Sequence, residues 1–310
     1  MKTVSVAMAT YNGARFIREQ LDSLARQTVL PAELVITDDG STDNTLEIVA
    51  DFAARAPFPV RVERNPENLG FRANFMKAAS LCTSDLIAFC DQDDIWLPHK
   101  IETCLELFDN DNVSMGPWMV CHGFTNVIAK SLLAHMNFWP QSQNFFDVGL
   151  RESHDQWFPC LAGVLGTTGY ISAPLALYRR HQATVTVDRA EISLRQRFKG
   201  KFGTHLDGLL SRENCAAYRA FVMETIAASP DASRIDQVVR AAHLYRNLES
   251  YYRQRREMYQ TNGHLKRLRL LIALARSGCY RPQAQWGVGA RALARDIFSG
   301  ICFGASGTAA

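Results

Sequence analysis

The stretch LIAFCDQDDIWLPHKI, residues 86–101, runs from five apolar residues straight into three carboxylates, Asp91, Asp93 and Asp94. Leu86–Cys90 reads as a buried strand. Pro98 suits the first turn of a following helix that carries Ile101, Leu105 and Phe108. Carboxylates gathered at the end of a buried strand repel one another and resist desolvation unless something offsets their charge. A hard divalent cation, Mg2+ or Mn2+, does so with few carboxylates and takes further oxygens from a ligand phosphate. The plainer alternative is an acidic turn that caps the next helix.

Working outward, the same alternation of short strand and amphipathic helix recurs. Val4–Ala9 is a strand, and Gly13–Thr28 carries a helical stripe of Phe16, Ile17, Leu21, Leu24 and Ala25. Glu33–Thr37 is a second strand and Thr45–Ala54 a second helix. Pro59–Glu63 is a third strand, followed by loop and helix over Asn68–Leu81. This rhythm with short loops predicts an α/β fold with a doubly wound, mostly parallel sheet. In such sheets ligands bind beyond the carboxyl ends of the strands. Three polar clusters fall there: Thr10-Tyr11-Asn12, Asp38-Asp39, and the acidic run from Asp91 to Asp94. Neither a G-x-G-x-x-G fingerprint nor a G-x-x-x-x-G-K-[ST] loop is present.

From about 110 to 188 the pattern is less regular, with Trp118–Cys121 and Gly169–Ser172 read as strands. Beyond 189 it turns helical: Leu194–Leu210, Cys215–Ala228, Ser233–Tyr259, and two more helices around 264–276 and 287–299, before a loose tail from Gly304. Charge divides the chain at the same place. Residues 1–188 hold 14 Lys and Arg against 22 Asp and Glu; residues 189–310 hold 20 against 9. An acidic front suits cations, or ligands bridged by them, and a basic back suits an anionic surface. No run approaches the ~18 apolar residues of a membrane span. The N-terminus reads as a strand rather than a signal peptide, so the default expectation is cytoplasmic. The eight cysteines form no C-x-x-C pair and read as small buried hydrophobes.

Several candidates have bland readings beside the functional one. Asp43 or Thr42 can cap the helix near Thr45, which leaves the Asp38-Asp39 pair unexplained; a carboxylate there could accept from a nucleobase N–H or ribose hydroxyls. Asp155, beside Trp157 and Phe158, is either a general base tuned by burial or a helix cap after Ser153. The run Tyr178-Arg179-Arg180-His181 could meet a diphosphate or be a solvated edge.

Taken together, VSVAMATYN (4–12), ELVITDDGSTDNT (33–45), NPENLGFRANF (65–75), the stretch at 86–101, SHDQW (153–157) and GYISAPLALYRRH (169–181) resemble the family 2 glycosyltransferases, in order and in spacing. The helical C-terminal part is similar, more weakly, to rhamnosyltransferase-like members. The resemblance implies a GT-A-type catalytic domain over 1–188, with a nucleotide-sugar half to about 109 and an acceptor half over 110–188. A basic α-helical region follows over 189–310. By residue, it implies that Thr10, Tyr11, Asn12, Asp38 and Asp39 hold the nucleoside and that Arg72 lies near base or phosphates. Asp91 would bind ribose and Asp93 and Asp94 the Mn2+ or Mg2+; His181 matches a residue that completes the metal site in some members and only contacts phosphate in others, with Arg179 and Arg180 near the diphosphate and Asp155 as base. The expected activity is inverting, metal-dependent transfer of a hexosyl or deoxyhexosyl group. The donor would be a nucleoside diphosphate sugar, the acceptor a glycan or lipid-linked hydroxyl in cell-surface polysaccharide synthesis. Between Phe108 and Gly123 there is little room for the strand that usually follows in the family.

Two other classes share some of these features. A metal-dependent nucleotidyltransferase would share the acidic strand end, but it usually brings a Gly-rich basic loop where this chain has only Gly13 and Arg15. A nucleic-acid or anionic-surface binder would use the basic back. Its cations are spread over several helices without an aromatic platform, so no nucleic acid is expected. The helix at 265–276 places Lys266, Arg269 and Arg276 on one side and leucines over much of the rest, with Arg267 intruding. Peripheral contact with the inner face of a membrane is one reading of it; a helix packed on the catalytic domain with a basic outer face is the other.

Overall fold

The computed structural model describes residues 2–109, 123–181, 205–229, 234–280 and 289–301. The strand expected at Trp118–Cys121, the short segment after Phe108 and the tail from Gly304 lie outside them. The chain forms two compact units, Met1–Trp139 with Glu152–Ala183, and Pro140–Arg151 with Thr184–Ala310. The second unit therefore takes in Pro140–Arg151, a stretch that the resemblance placed in the acceptor half.

The first unit is built on β1 (Val4–Thr10), α1 (Ile17–Ala25), β2 (Glu33–Asp38), α2 (Thr45–Ala53), β3 (Val60–Arg64), α3 (Gly70–Leu81), β4 (Leu86–Asp91), β5 (Ile95–Trp96), α4 (Lys100–Asp109), β6 (Val127–Ala129), α5 (His154–Leu165) and β7 (Ala176–Leu177). Its main sheet has the order β3-β2-β1-β4-β6. Pairing is parallel except between β4 and β6. Strands covered on both faces become continuously apolar, and β2 is buried along its whole length. On one face Val6, Met8, Ile36 and Ala88 pack with Ile17, Leu21 and Leu24 of α1 and with Val49 and Phe52 of α2. The other face carries Phe89 against Phe75 of α3 and Phe158 of α5, with ring centroids 6.1 and 5.6 Å apart.

Register decides where the polar clusters meet. Thr10 pairs with Asp38 across β1 and β2, and Ala9 with Asp91 across β1 and β4. All three clusters therefore emerge at one edge of the sheet. The opposite edge is pinned by Glu33. Its Oε1 accepts from Ser5 Oγ (2.7 Å), Thr83 N (2.6 Å) and Thr83 Oγ1 (2.7 Å), and its Oε2 from Arg61 (3.2 Å).

Two elements differ from the sequence reading. Gly169–Ser172 is not a strand; the strand is Ala176–Leu177, fixed by antiparallel pairing with Ile95 and Trp96. Pro98 precedes α4 rather than opening it, since the helix begins at Lys100.

The second unit is helical: α6 (His205–Ala227), α7 (Ile235–Gln260), α8 (His264–Arg276) and α9 (Gly289–Arg295), which runs into a π-helical turn at Asp296–Ile301. One helix, α6, replaces the expected break between Leu210 and Cys215. Glu213, one of the four polar residues in that gap, is held by Arg256 (2.8 Å) and Arg253 (3.1 Å) of α7, while Glu224 takes both prongs of Arg246 (2.7 and 2.6 Å). The pairs run in opposite chain order, so α6 and α7 are antiparallel. Every described cysteine is buried and free, as small hydrophobes are.

Candidate active site

The loop after β1 is held by its own chain. Asn12 adopts a left-handed conformation (φ 46°). Its Oδ1 accepts from Thr42 N (2.8 Å) and its N–H donates to Ser41 Oγ (2.9 Å). Gln92, at the end of β4, donates to Tyr11 O and accepts from Tyr11 N, both at 3.0 Å. A Cβ on Gly13 would collide with that Gln92 amide, so glycine lets the two strand ends close on each other.

Asp38 and Asp39 divide the work expected of the pair. Asp38 is sealed. Its carboxylate accepts from Gly40 N (3.1 Å), Ser41 N (2.8 Å), Ser41 Oγ (2.5 Å) and Thr10 Oγ1 (2.9 Å). Thr10 and Asp38, expected at the nucleoside, are here engaged in contacts that shape the turn. Asp39 fixes the next loop through Leu69 N (2.7 Å), Gly70 N (2.8 Å) and Asn65 Nδ2 (2.8 Å). It also lines, with exposed Tyr11, Arg64, Asn65 and Asn68, a cavity of about 470 Å³. Asn65, Asn68 and Arg64 lie in or beside the NPENLG stretch, but their residue types alone did not single them out. Asp43 holds the entrance of α2, accepting from Thr45 N (3.1 Å) and from Ala14 N (3.0 Å). Arg72 lies in the first turn of α3, its guanidinium 4.5 Å from the Phe71 ring.

The acidic run separates by exposure. Asp93 is part-buried, and its Oδ2 lies 2.7 Å from His181 Nε2. The His181 ring stacks on Phe16 at 4.4 Å. Asp94, expected as a metal ligand, is 0% exposed, and its Oδ1 accepts from Arg179 N at 3.0 Å. It clips the end of β7 to the turn after β4 instead of facing outward. Arg179, expected at a diphosphate, lays its guanidinium 5.0 Å from the Phe16 ring and pairs with Glu19 at 2.6 Å. Arg180 is exposed beside it.

Asp155 sits in the first turn of α5, where the helix dipole favours a negative charge. Ser153, one residue before the helix, donates its hydroxyl to Asp155 Oδ1. Neighbouring His154 is wedged between Phe75 and Phe89, 4.2 and 4.5 Å centroid to centroid. This contact anchors the start of α5 over the end of β4 and so brings Asp155 towards Asp91.

The electrostatics record that convergence. Burial first, then the charges of Asp94, Asp93 and Asp155, push the Asp91 carboxyl up to about 8. Burial, with the Asp93 charge adding and the Arg179 N–H opposing, pushes Asp94 up to about 6. Lys100, a cation that the sequence reading missed, is buried 4.5 Å from the Trp96 ring, and its burial lowers its own pKa. One desolvated ammonium does not neutralise four converging carboxylates.

The donor chemistry bears on which cation fits. Among the described residues there is no cluster of three or more side chains that could hold a metal ion alone. The Asp93–His181 pair fits a cation that takes its remaining oxygens from a bound diphosphate and water, the habit of Mg2+ and of its Mn2+ analogue.

Fold and site together define an α/β protein with an acidic crevice at the carboxyl edge of a mostly parallel sheet. Residues 5–183 match the model of glycosyl transferase family 2, and the chain belongs to that family. The mostly parallel sheet and the helical C-terminal region are the arrangement expected from the motifs. An uncharacterised glycosyltransferase of Nostoc sp. is 34% identical over 113 residues, 36% of this chain and 34% of that one. The dTDP-rhamnosyl transferase RfbG of Shigella flexneri is 36% identical over 148 residues, 45% of this chain and 48% of that one. The chain thus spans only a third to a half of the length of these curated relatives. Among solved structures, S. aureus TarS 1–349 in complex with UDP aligns over 81% of this chain and 91% of its own, at 17% identity and a TM-score of 0.49.

Proposed function

We propose that this chain is an inverting, metal-dependent glycosyltransferase. It takes a nucleoside diphosphate sugar as donor and a hydroxyl of a glycan or lipid-linked molecule as acceptor, in cell-surface polysaccharide synthesis. The observation that carries the reading is the meeting of Asp91, Asp93 and Asp94 with Asp155 at the carboxyl end of β4. Membership of the family and the likeness to a rhamnosyl transferase support it.

Tyr11 and Asp39 line the nucleoside's cavity, with Asn65 and Asn68 shaping its rim. Asp93 and His181 would hold the Mg2+ or Mn2+, with Asp91 behind them. The cation supplies charge stabilisation for the diphosphate as it departs. Arg72 and Arg180 add positive potential nearby. Asp155 takes the proton of the acceptor hydroxyl as that oxygen attacks the anomeric carbon from the face opposite the leaving group. The single displacement inverts the configuration. General-base help of this kind contributes roughly 10²–10⁴-fold. The nucleic-acid reading loses its basis in α7, where Arg246, Arg253 and Arg256 are paired with Glu224 and Glu213.

The test pairs a nucleotide-sugar panel with Asp155→Asn. The wild type should release nucleoside diphosphate from one donor only when Mn2+ or Mg2+ is present. Asp155→Asn should retain donor affinity and lose at least ~100-fold in turnover. Full turnover in excess chelator rules out the metal, and wild-type turnover by Asp155→Asn rules out the base.

A further inference from the structure

Helix α8 (His264–Arg276) is apolar on both of its sides. Leu271 and Leu274 are buried within the helical unit, and so is Arg267, the cation that interrupts the stripe. Arg267 donates to Ile301 O at 2.8 Å and to Thr261 O at 3.3 Å, so it closes off the chain's own carbonyls. On the opposite side, at i, i+3 and i+7, Leu265, Leu268 and Ile272 are 76%, 42% and 42% exposed. Lys266, Arg269 and Arg276 border them and are exposed too. None of the three makes an ion pair among the described residues, and α8 contains no acidic residue. The π-helical turn that packs against α8 adds Ile297 and Phe298, 51% and 60% exposed.

We propose that this outer face of α8 docks onto an anionic lipid surface. The inference goes beyond the proposed function, and it stands on the helix alone and not on the transfer chemistry. Exposed aliphatic side chains edged by these cations match a headgroup layer over hydrocarbon: the alkyl groups enter the acyl boundary while the cations stay among phosphates. A second copy of the chain fits poorly, because an isologous contact would bring two sets of three like charges together. A phosphate polymer would leave the leucines without a partner. No described helix is long and apolar enough to cross a membrane, so the contact is peripheral.

Flotation with phosphatidylcholine vesicles, with and without phosphatidylglycerol, tests this without any substrate. The whole chain should float only with the anionic vesicles, and less so as salt rises. The triple change Leu265→Gln, Leu268→Gln, Ile272→Gln should cut the bound fraction about tenfold while helix content by circular dichroism stays unchanged. Lys266→Ser with Arg269→Ser and Arg276→Ser should remove the preference for anionic vesicles. A wild type that never floats, or that floats equally with neutral vesicles, overturns the assignment. So does light scattering that shows a dimer dissolved by the triple glutamine variant. Sugar transfer to a soluble acceptor, measured without vesicles, reports separately on the activity: loss there with flotation intact leaves this proposal standing and removes the other.

Discussion

His154 is enclosed between two phenylalanine rings with neither ring nitrogen hydrogen-bonded. Burial drops its pKa from 6.5 to about 4, with the Asp155 charge opposing. The sign of the resulting pH dependence is fixed by linkage. As pH falls, the unfolded chain protonates this imidazole near 6.5 while the folded one stays neutral to about 4. The contribution to stability is whole above the upper value and is lost on the way down through the lower one, by about 3 kcal/mol in all. Thermal unfolding of His154→Leu should accordingly decline less between those two pH values than the wild type does; parallel curves would contradict the assignment. The same scale shows why the site was only partly legible. Carboxylates after strands announced themselves by clustering, and Asp155 by standing beside aromatics. Nothing in the sequence distinguished Asp38, whose oxygens are filled by the turn it makes, from Asp39, which also lines the cavity. That distinction depends on which backbone N–H groups a folded loop points inward. For the same reason the sequence did not show that Glu19 pairs with the Arg179 guanidinium.

At the scale of elements, the Glu33 carboxylate at the start of β2 ties together β1, β3 and the entrance to β4. Burial by itself would raise its pKa; the hydrogen bonds from Ser5 and Thr83 and the charge of Arg61 outweigh that and hold it below 4.5. Its stabilisation is present above the unfolded value and is lost as pH falls through the folded one. Glu33→Gln should lower the free energy of unfolding by about 1–3 kcal/mol at neutral pH, flatten the acid limb below 4.5 and leave donor affinity unchanged. Denaturant titrations at two pH values check it. The strands on either side were readable because a sheet covered on both faces leaves unbroken apolar runs, and helices α1 and α2 because their stripes repeat at helical spacing. The two-residue strands β5 and β7 were not readable, since a strand so short exists only by virtue of its partner. The single long α6 was broken wrongly at Glu213, because two arginines forty and forty-three residues further along supply the compensation that its local sequence lacks.

At the scale of the whole molecule, the helical unit is closed by a buried charge. Arg255 is 2% and Asp296 0% exposed; their two bonds are 2.6 and 2.9 Å long, and Tyr280 and Tyr259 donate to the same carboxylate at 2.6 and 3.0 Å. Asp296→Leu, which strands the guanidinium, should cost roughly 3–5 kcal/mol, whereas adding Arg255→Met should restore most of it. Equal losses in the single and double variants, measured by chemical denaturation, would argue against an uncompensated charge as the cause. The first unit keeps its strand register by contacts at one margin of the sheet and gathers its polar clusters at the other. Loops along the second margin are therefore replaceable parts. A segment grafted between Asn65 and Gly70 from a relative with another sugar preference would settle onto a frame whose alignment it had no share in building, and selectivity could drift over generations while the architecture stayed put.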